Sequence, residues 1–145
     1  MSVSHGPRGI RAALALGVLA GAFGAVACSG AEATPADRLE PGSTLALPSK
    51  HGLTESRLSA DGNIAEGPNN AFLVDFDPGN TDLVDAEAFM PVHGHGSPAK
   101  IRISATDSGF RLHDVVFSMG GLWNVTLEVT VGGEPDTVEF SIDVP

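Results

Sequence analysis

The run Leu122 to Val131 constrains this chain most, because its residues alternate in character at every step. Trp123, Val125, Leu127, Val129 and Val131 share one face of an extended strand, and Asn124, Thr126, Glu128 and Thr130 share the other. A period of two does not form an apolar stripe on a helix, so the pattern predicts a half-buried strand. Gly132-Gly133-Glu134-Pro135-Asp136 then turns the chain back. Val138, Phe140, Ile142 and Val144 face inward on the returning strand, with Glu139, Ser141 and Asp143 outward. Such a hairpin needs a second apolar layer to cover it.

Shorter runs supply that layer. Phe72, Val74 and Phe76 alternate with Leu73, Asp75 and Asp77 before an Asp77-Pro78-Gly79-Asn80 turn. Val84 to Met90 forms another strand, as do Ile101 to Thr106 and, after Asp107-Ser108-Gly109, Phe110 to Phe117. A weaker strand around Leu53 to Leu58 opens the domain. No part of the chain after the leader has convincing helical periodicity, although Thr81 to Ala88 mimics a short helix. The expectation is an all-β fold, an immunoglobulin-like antiparallel β-sandwich of about seven strands over residues 43–145.

The ends add an address. Arg8 and Arg11 precede an acid-free apolar run from Ala12 to Ala27, which closes on small residues before Cys28. This reads as an export signal over residues 1–27, too short for a comfortable membrane span. Cys28 is the sole cysteine, so no internal disulfide can form. Its position resembles a bacterial lipobox, in which the thiol is lipidated before cleavage; Ala25 stands where that box prefers Leu. Residues 28–42, small, acidic and carrying Pro35 and Pro41, read as a lipidated cysteine and flexible linker. The expected location is the cell envelope, on the periplasmic face or at the outer membrane, held by the lipid.

Composition excludes some partners. Lys and Arg number 8 against 18 Asp and Glu, for a formal net charge of −10 at pH 7, and two of the cations leave with the leader. No basic patch is present for nucleic acid. Without a second cysteine, thiol–disulfide chemistry and zinc–thiolate sites are ruled out. No serine sits in a nucleophile-elbow context and no glycine-rich phosphate loop follows a strand, so the chain does not read as an enzyme.

What remains is a donor set. Met90-Pro91-Val92-His93-Gly94-His95-Gly96 places two imidazoles and a thioether within one short segment. If the segment stays extended, His93 and His95 project to the same side. Beyond the initiator, the only other methionine is Met119, in Met119-Gly120-Gly121. In an antiparallel sandwich the connections at one end cluster, so both segments can meet at one pole. Met90, His93, His95 and Met119 would then offer two sulfurs and two nitrogens, donors that favour copper, above all Cu(I). Each residue also has a plainer reading. A methionine beside a proline serves as a core filler, and histidines among glycines brace loops. His113 reads as a surface residue within a strand, and nothing in the sequence places His51.

These segments, with Gly109-Phe110, Val116-Phe117-Ser118-Met119-Gly120-Gly121-Leu122-Trp123 and Asp136-Thr137-Val138-Glu139-Phe140, resemble a YtkA-like domain from about Asn70 to the C-terminus. The family pattern reads Met-Pro-Gly before the tryptophan segment; here Gly120 replaces the proline, a change expected to loosen the Met119 turn. The resemblance implies a small exported β-sandwich akin to FixH-like proteins, associated with cation handling and oxidase assembly. It implies copper as ligand and another envelope cuproprotein as partner. The sequence thus leaves two function classes open: a membrane-anchored copper binder acting as a metallochaperone, and a noncatalytic structural or interaction module of the envelope without metal.

Overall fold

Alternating burial runs the length of the C-terminal hairpin. Strand β9 (Gly121–Val131) pairs antiparallel with β10 (Glu134–Val144) in unbroken register from Val131↔Glu134 to Gly121↔Val144. Trp123, Val125, Leu127 and Val129 are buried from one strand, and Val138, Phe140, Ile142 and Val144 from the other. The turn is tighter than the five residues expected. Only Gly132 and Gly133 connect the strands, with φ of 59° and 94°. Two positive φ values in a two-residue loop match the right-handed strand twist, and glycine takes them without strain. Pro135 and Asp136 lie in the strand itself.

The structure is a computed structural model that describes residues 37–145. The expected signal sequence, Cys28 and most of the linker lie outside the described residues. The remaining strands are β1 (Arg38–Leu39), β2 (Thr44–Pro48), β3 (Glu55–Ala60), β4 (Gly67–Asp77), β5 (Thr81–Met90), β6 (His95–Gly96), β7 (Arg102–Ala105) and β8 (Phe110–Phe117). They form two five-stranded sheets, ordered β1-β10-β9-β5-β6 and β2-β3-β4-β8-β7. Every strand pair is antiparallel except β1 with β10. The inner faces meet through aromatic rings. Phe72 of β4 packs edge-on to Phe140 of β10 with ring centres 6.2 Å apart, and Phe117 of β8 lies 5.3 Å from Trp123 of β9. These large, fully buried rings carry much of the favourable burial in the sandwich.

Three short strands were not legible beforehand, and the count rises from about seven to ten. Ordered structure also begins before residue 43. Arg38 and Leu39 pair with Ser141 and Ile142, and Leu39 is 1% exposed, so this end of the expected linker belongs to the core. The segment that mimics a helix, Thr81 to Ala88, is strand. A bulge between Leu83 and Asp85 shifts its register against β9. A second irregularity lies in the pairing of β4 with β8. Asp114 takes φ +55° there, which lets both Leu112 and Val115 face the core. Buried Asn70 ties that bulge together by donating to the carbonyls of Ala65, Gly67 and Val115 and accepting from Ala65 N–H.

Strand direction sorts the connections into two ends. β5 finishes and β9 begins at one pole, where the 91–94 turn, the 118–120 turn and the 61–66 loop gather. The β2–β3 loop and the Gly132-Gly133 turn lie at the other.

Candidate metal site

The histidine segment does not stay extended. His93 N–H and Gly94 N–H both donate to the Met90 carbonyl, at 3.3 and 2.9 Å, which closes residues 91–94 into a tight turn. Pro91 fixes φ at the start of that turn, and Gly94 takes φ +66° at its end. The chain returns as β6, with His95 opposite Met90 and Gly96 opposite Phe89. Ser97 N–H extends the ladder by donating to the Ala88 carbonyl at 2.8 Å. The expected convergence of the imidazoles is thus reached by another route: ring centres of His93 and His95 lie 6.1 Å apart, nearly parallel at 30°. His93 is exposed and His95 half-buried.

Directly opposed residues of an antiparallel pair share one face of the sheet. Met90 is 2% exposed and points into the sandwich, so His95 leans over the same face at its rim. There its ring meets the edge of Trp123 at 5.7 Å and 71°. The inner face of this sheet therefore carries His95 opposite Met90 and, farther across, Trp123 opposite Ile142 and Ile142 opposite Leu39. His95 stands at the edge strand of this row, where the inner face opens to solvent.

The second segment closes on the same indole. Trp123 Nε1 donates to the Met119 carbonyl at 3.1 Å, holding the 118–120 turn against the ring. Met119 itself is half-buried and packs on the core. Gly121 lies under the Met90 methyl: a Cβ there would come within 2.8 Å of Met90 Cε, and its φ of +120° also demands glycine. Gly120 is held as well. Its N–H donates to Glu66 Oε1 from the loop between β3 and β4. Proline has no N–H to give, so glycine at this position supplies a hydrogen bond that a stiffer proline ring would forfeit. A Cβ on Gly120 would sit 3.2 Å from that oxygen and 3.3 Å from the carbonyls of Val144 and Pro145.

The structure thus brings His93, His95 and Met90 together in one hairpin and joins the Met119 turn to them through Trp123 and Gly121. Sequence reasoning did not single out Trp123 or Glu66 as site residues. Trp123 had a signal, since it is the lone tryptophan and closes the second motif. Glu66 had none.

The other described histidines lie elsewhere. His113, on β8 in the other sheet, shares a hydrogen bond with Ser104 Oγ at 2.6 Å, beside the Arg102–Asp114 ion pair. His51 sits at the far pole, its Nδ1 3.0 Å from Asp136 Oδ1. Asp136 is a buried carboxylate with no side-chain exposure. Burial alone would raise its pKa, but the Ser49 hydroxyl and the N–H groups of Thr137, His51 and Leu53 outweigh that effect and hold it well below the usual carboxylate range. It is a clamp that fastens the β2–β3 loop onto β10. Among the described residues no three His, Cys, Asp or Glu side chains group to hold an ion. A metal at the histidine turn would therefore need thioether or solvent donors beside the two imidazoles.

Comparison with known family models gives no match, and searches among curated proteins and solved structures give none either.

Proposed function

We propose that this chain is an exported, lipid-anchored copper-binding β-sandwich of the bacterial envelope that hands its ion to another envelope cuproprotein. In this reading Cys28 carries the lipid, and His93, His95, Met90 and Met119 hold the metal. The chain is a YtkA-like domain without catalytic activity of its own. Its strand order supports an immunoglobulin-like reading, with β3-β4-β8-β7 facing β10-β9-β5 as two Greek-key-linked layers.

The observation that carries the proposal is the 6.1 Å separation of the two imidazole centres. Metal–imidazole bonds of about 2 Å place two ring centres on one ion roughly 5 to 6.5 Å apart. The observed separation lies at the upper end of that span, where the two nitrogens would face each other nearly across the ion. Both rings stand at the end of a turn closed by backbone hydrogen bonds, so little ordering is needed when the ion arrives. Methionine sulfur nearby biases the set towards Cu(I). Few, exchangeable donors at a turn also suit a protein that must release its ion.

A structural module without metal is the second reading, favoured by the burial of Met90 and the packing of His95 on Trp123. Competition for Cu(I) between the purified protein and a chromogenic chelator separates the two. The copper reading expects one ion per chain and at least a tenfold loss of affinity in His93→Ala/His95→Ala. Equal affinity in parent and variant would remove the histidines from the site. No uptake at all, with lowered stability of the variant, would favour the structural module.

A further inference from the structure

Glu66 reaches the Met119 turn from 54 residues away in sequence, and no motif announces it. Its carboxylate accepts the Gly120 N–H, a charge-assisted bond of the stronger kind. Gly120 is hemmed in by the Glu66 carboxylate and by the Val144 and Pro145 carbonyls. Its neighbour Gly121 lies under the Met90 methyl. Met90 in turn is paired with His95, and His95 touches Trp123, whose indole holds the Met119 carbonyl. A closed ring of contacts therefore runs Gly120, Gly121, Met90, His95, Trp123 and Met119, and Glu66 attaches to it at Gly120. Every link of the ring joins the two turns or lies within them. Glu66 is supplied from outside.

We propose that Glu66 is the positioning residue of the metal site, fixing the Met119 turn so that its thioether is presented to an ion held by His93 and His95. The inference rests on the copper reading above. Glu66 is not itself a ligand here; it acts through the Gly120 amide. With the carboxylate in place the turn keeps one arrangement before the metal arrives. Without it, Gly120 N–H loses its protein partner and the glycine pair gains freedom that must be lost again on binding.

A double-mutant cycle tests this on the full chain, with Cu(I) as the probe in chelator competition. Glu66→Ala should weaken Cu(I) binding about tenfold in the parent and leave affinity unchanged in a Met119→Leu background, because the effect travels through Met119. Glu66→Gln, which keeps an acceptor oxygen, should restore most of the loss. In the metal-free protein, exchange of the Gly120 amide read by NMR should quicken about tenfold in Glu66→Ala. An equal loss of affinity in both backgrounds would make Glu66 a general structural residue and overturn the proposal. So would Gly120 exchange at the parent rate. A parent that takes up no Cu(I) would overturn the copper reading and the role of Glu66 towards the metal together, while the amide exchange would still show whether the Glu66 lock exists.

Discussion

Asp136 shows how a single side chain can fasten one loop to a sheet. Its carboxylate takes hydrogen bonds from Thr137 N–H at 2.8 Å, His51 N–H at 3.0 Å and Leu53 N–H at 3.3 Å, and faces the His51 ring. Removing it leaves those part-buried donors without their protein acceptor, so Asp136→Ala should cost about 2 kcal/mol in denaturant unfolding. The same bonds predict a pH dependence. The unfolded chain takes up a proton at this position near pH 4, whereas the folded carboxyl resists protonation to far lower pH. Its contribution is thus complete above the ordinary carboxylate range and is lost as pH falls through and below it. Parent stability should drop between about pH 5 and about pH 2, and Asp136→Asn should show a shallower slope over that interval. Identical slopes would deny Asp136 that role. None of this was visible beforehand, because Asp136 read as part of a turn and His51 had no partner in sequence. The clamp exists only once the β2–β3 loop crosses to β10, where Lys50 N–H donates to the Thr137 carbonyl.

Elements were legible where alternation was long. The strand residues Phe110 to Phe117 match β8, and Leu122 to Val131 falls one residue short of β9. β1 and β6 have two residues each, too few for any period, and they form because neighbouring strands offer free edges. β5 was the ambiguous case, and its bulge explains why. Val84 and Asp85 interrupt the alternation, and the Asp85 carboxylate bends back to accept the Ala86 N–H at 2.9 Å. That bond holds the carboxyl below its usual range, with help from Lys100 at 3.2 Å. N-terminal to Ala88 there is no ladder to β6, so this stretch of β5 is a sheet edge, and it carries the charged Asp85–Lys100 pair that disfavours pairing with another strand. Asp85→Val should unblock it and raise self-association, measured as added dimer and larger species by size-exclusion chromatography with light scattering. A variant that stays as monodisperse as the parent would show the edge is protected by other means.

Across the described residues, two polar clusters stand at opposite ends of the sandwich. One pole carries the Asp136 clamp, and the other carries the histidine turn, the Met119 turn and the Glu66 loop. His93 and His95 were readable because their proximity is local in sequence. Even so, the turn that brings them together differs from the extended form that spacing alone implies. Joining them to Met119 requires the pairing of β5 with β9 and the indole between them, which one sequence shows only as separate motifs. X-ray absorption at the copper edge of the Cu(I)-loaded protein tests that assembly most directly. The account predicts a mixed shell of sulfur and nitrogen donors, with the sulfur part reduced in Met119→Leu and the nitrogen part reduced in His93→Ala/His95→Ala. A shell of nitrogen and oxygen alone, unchanged by loss of Met119, would contradict it.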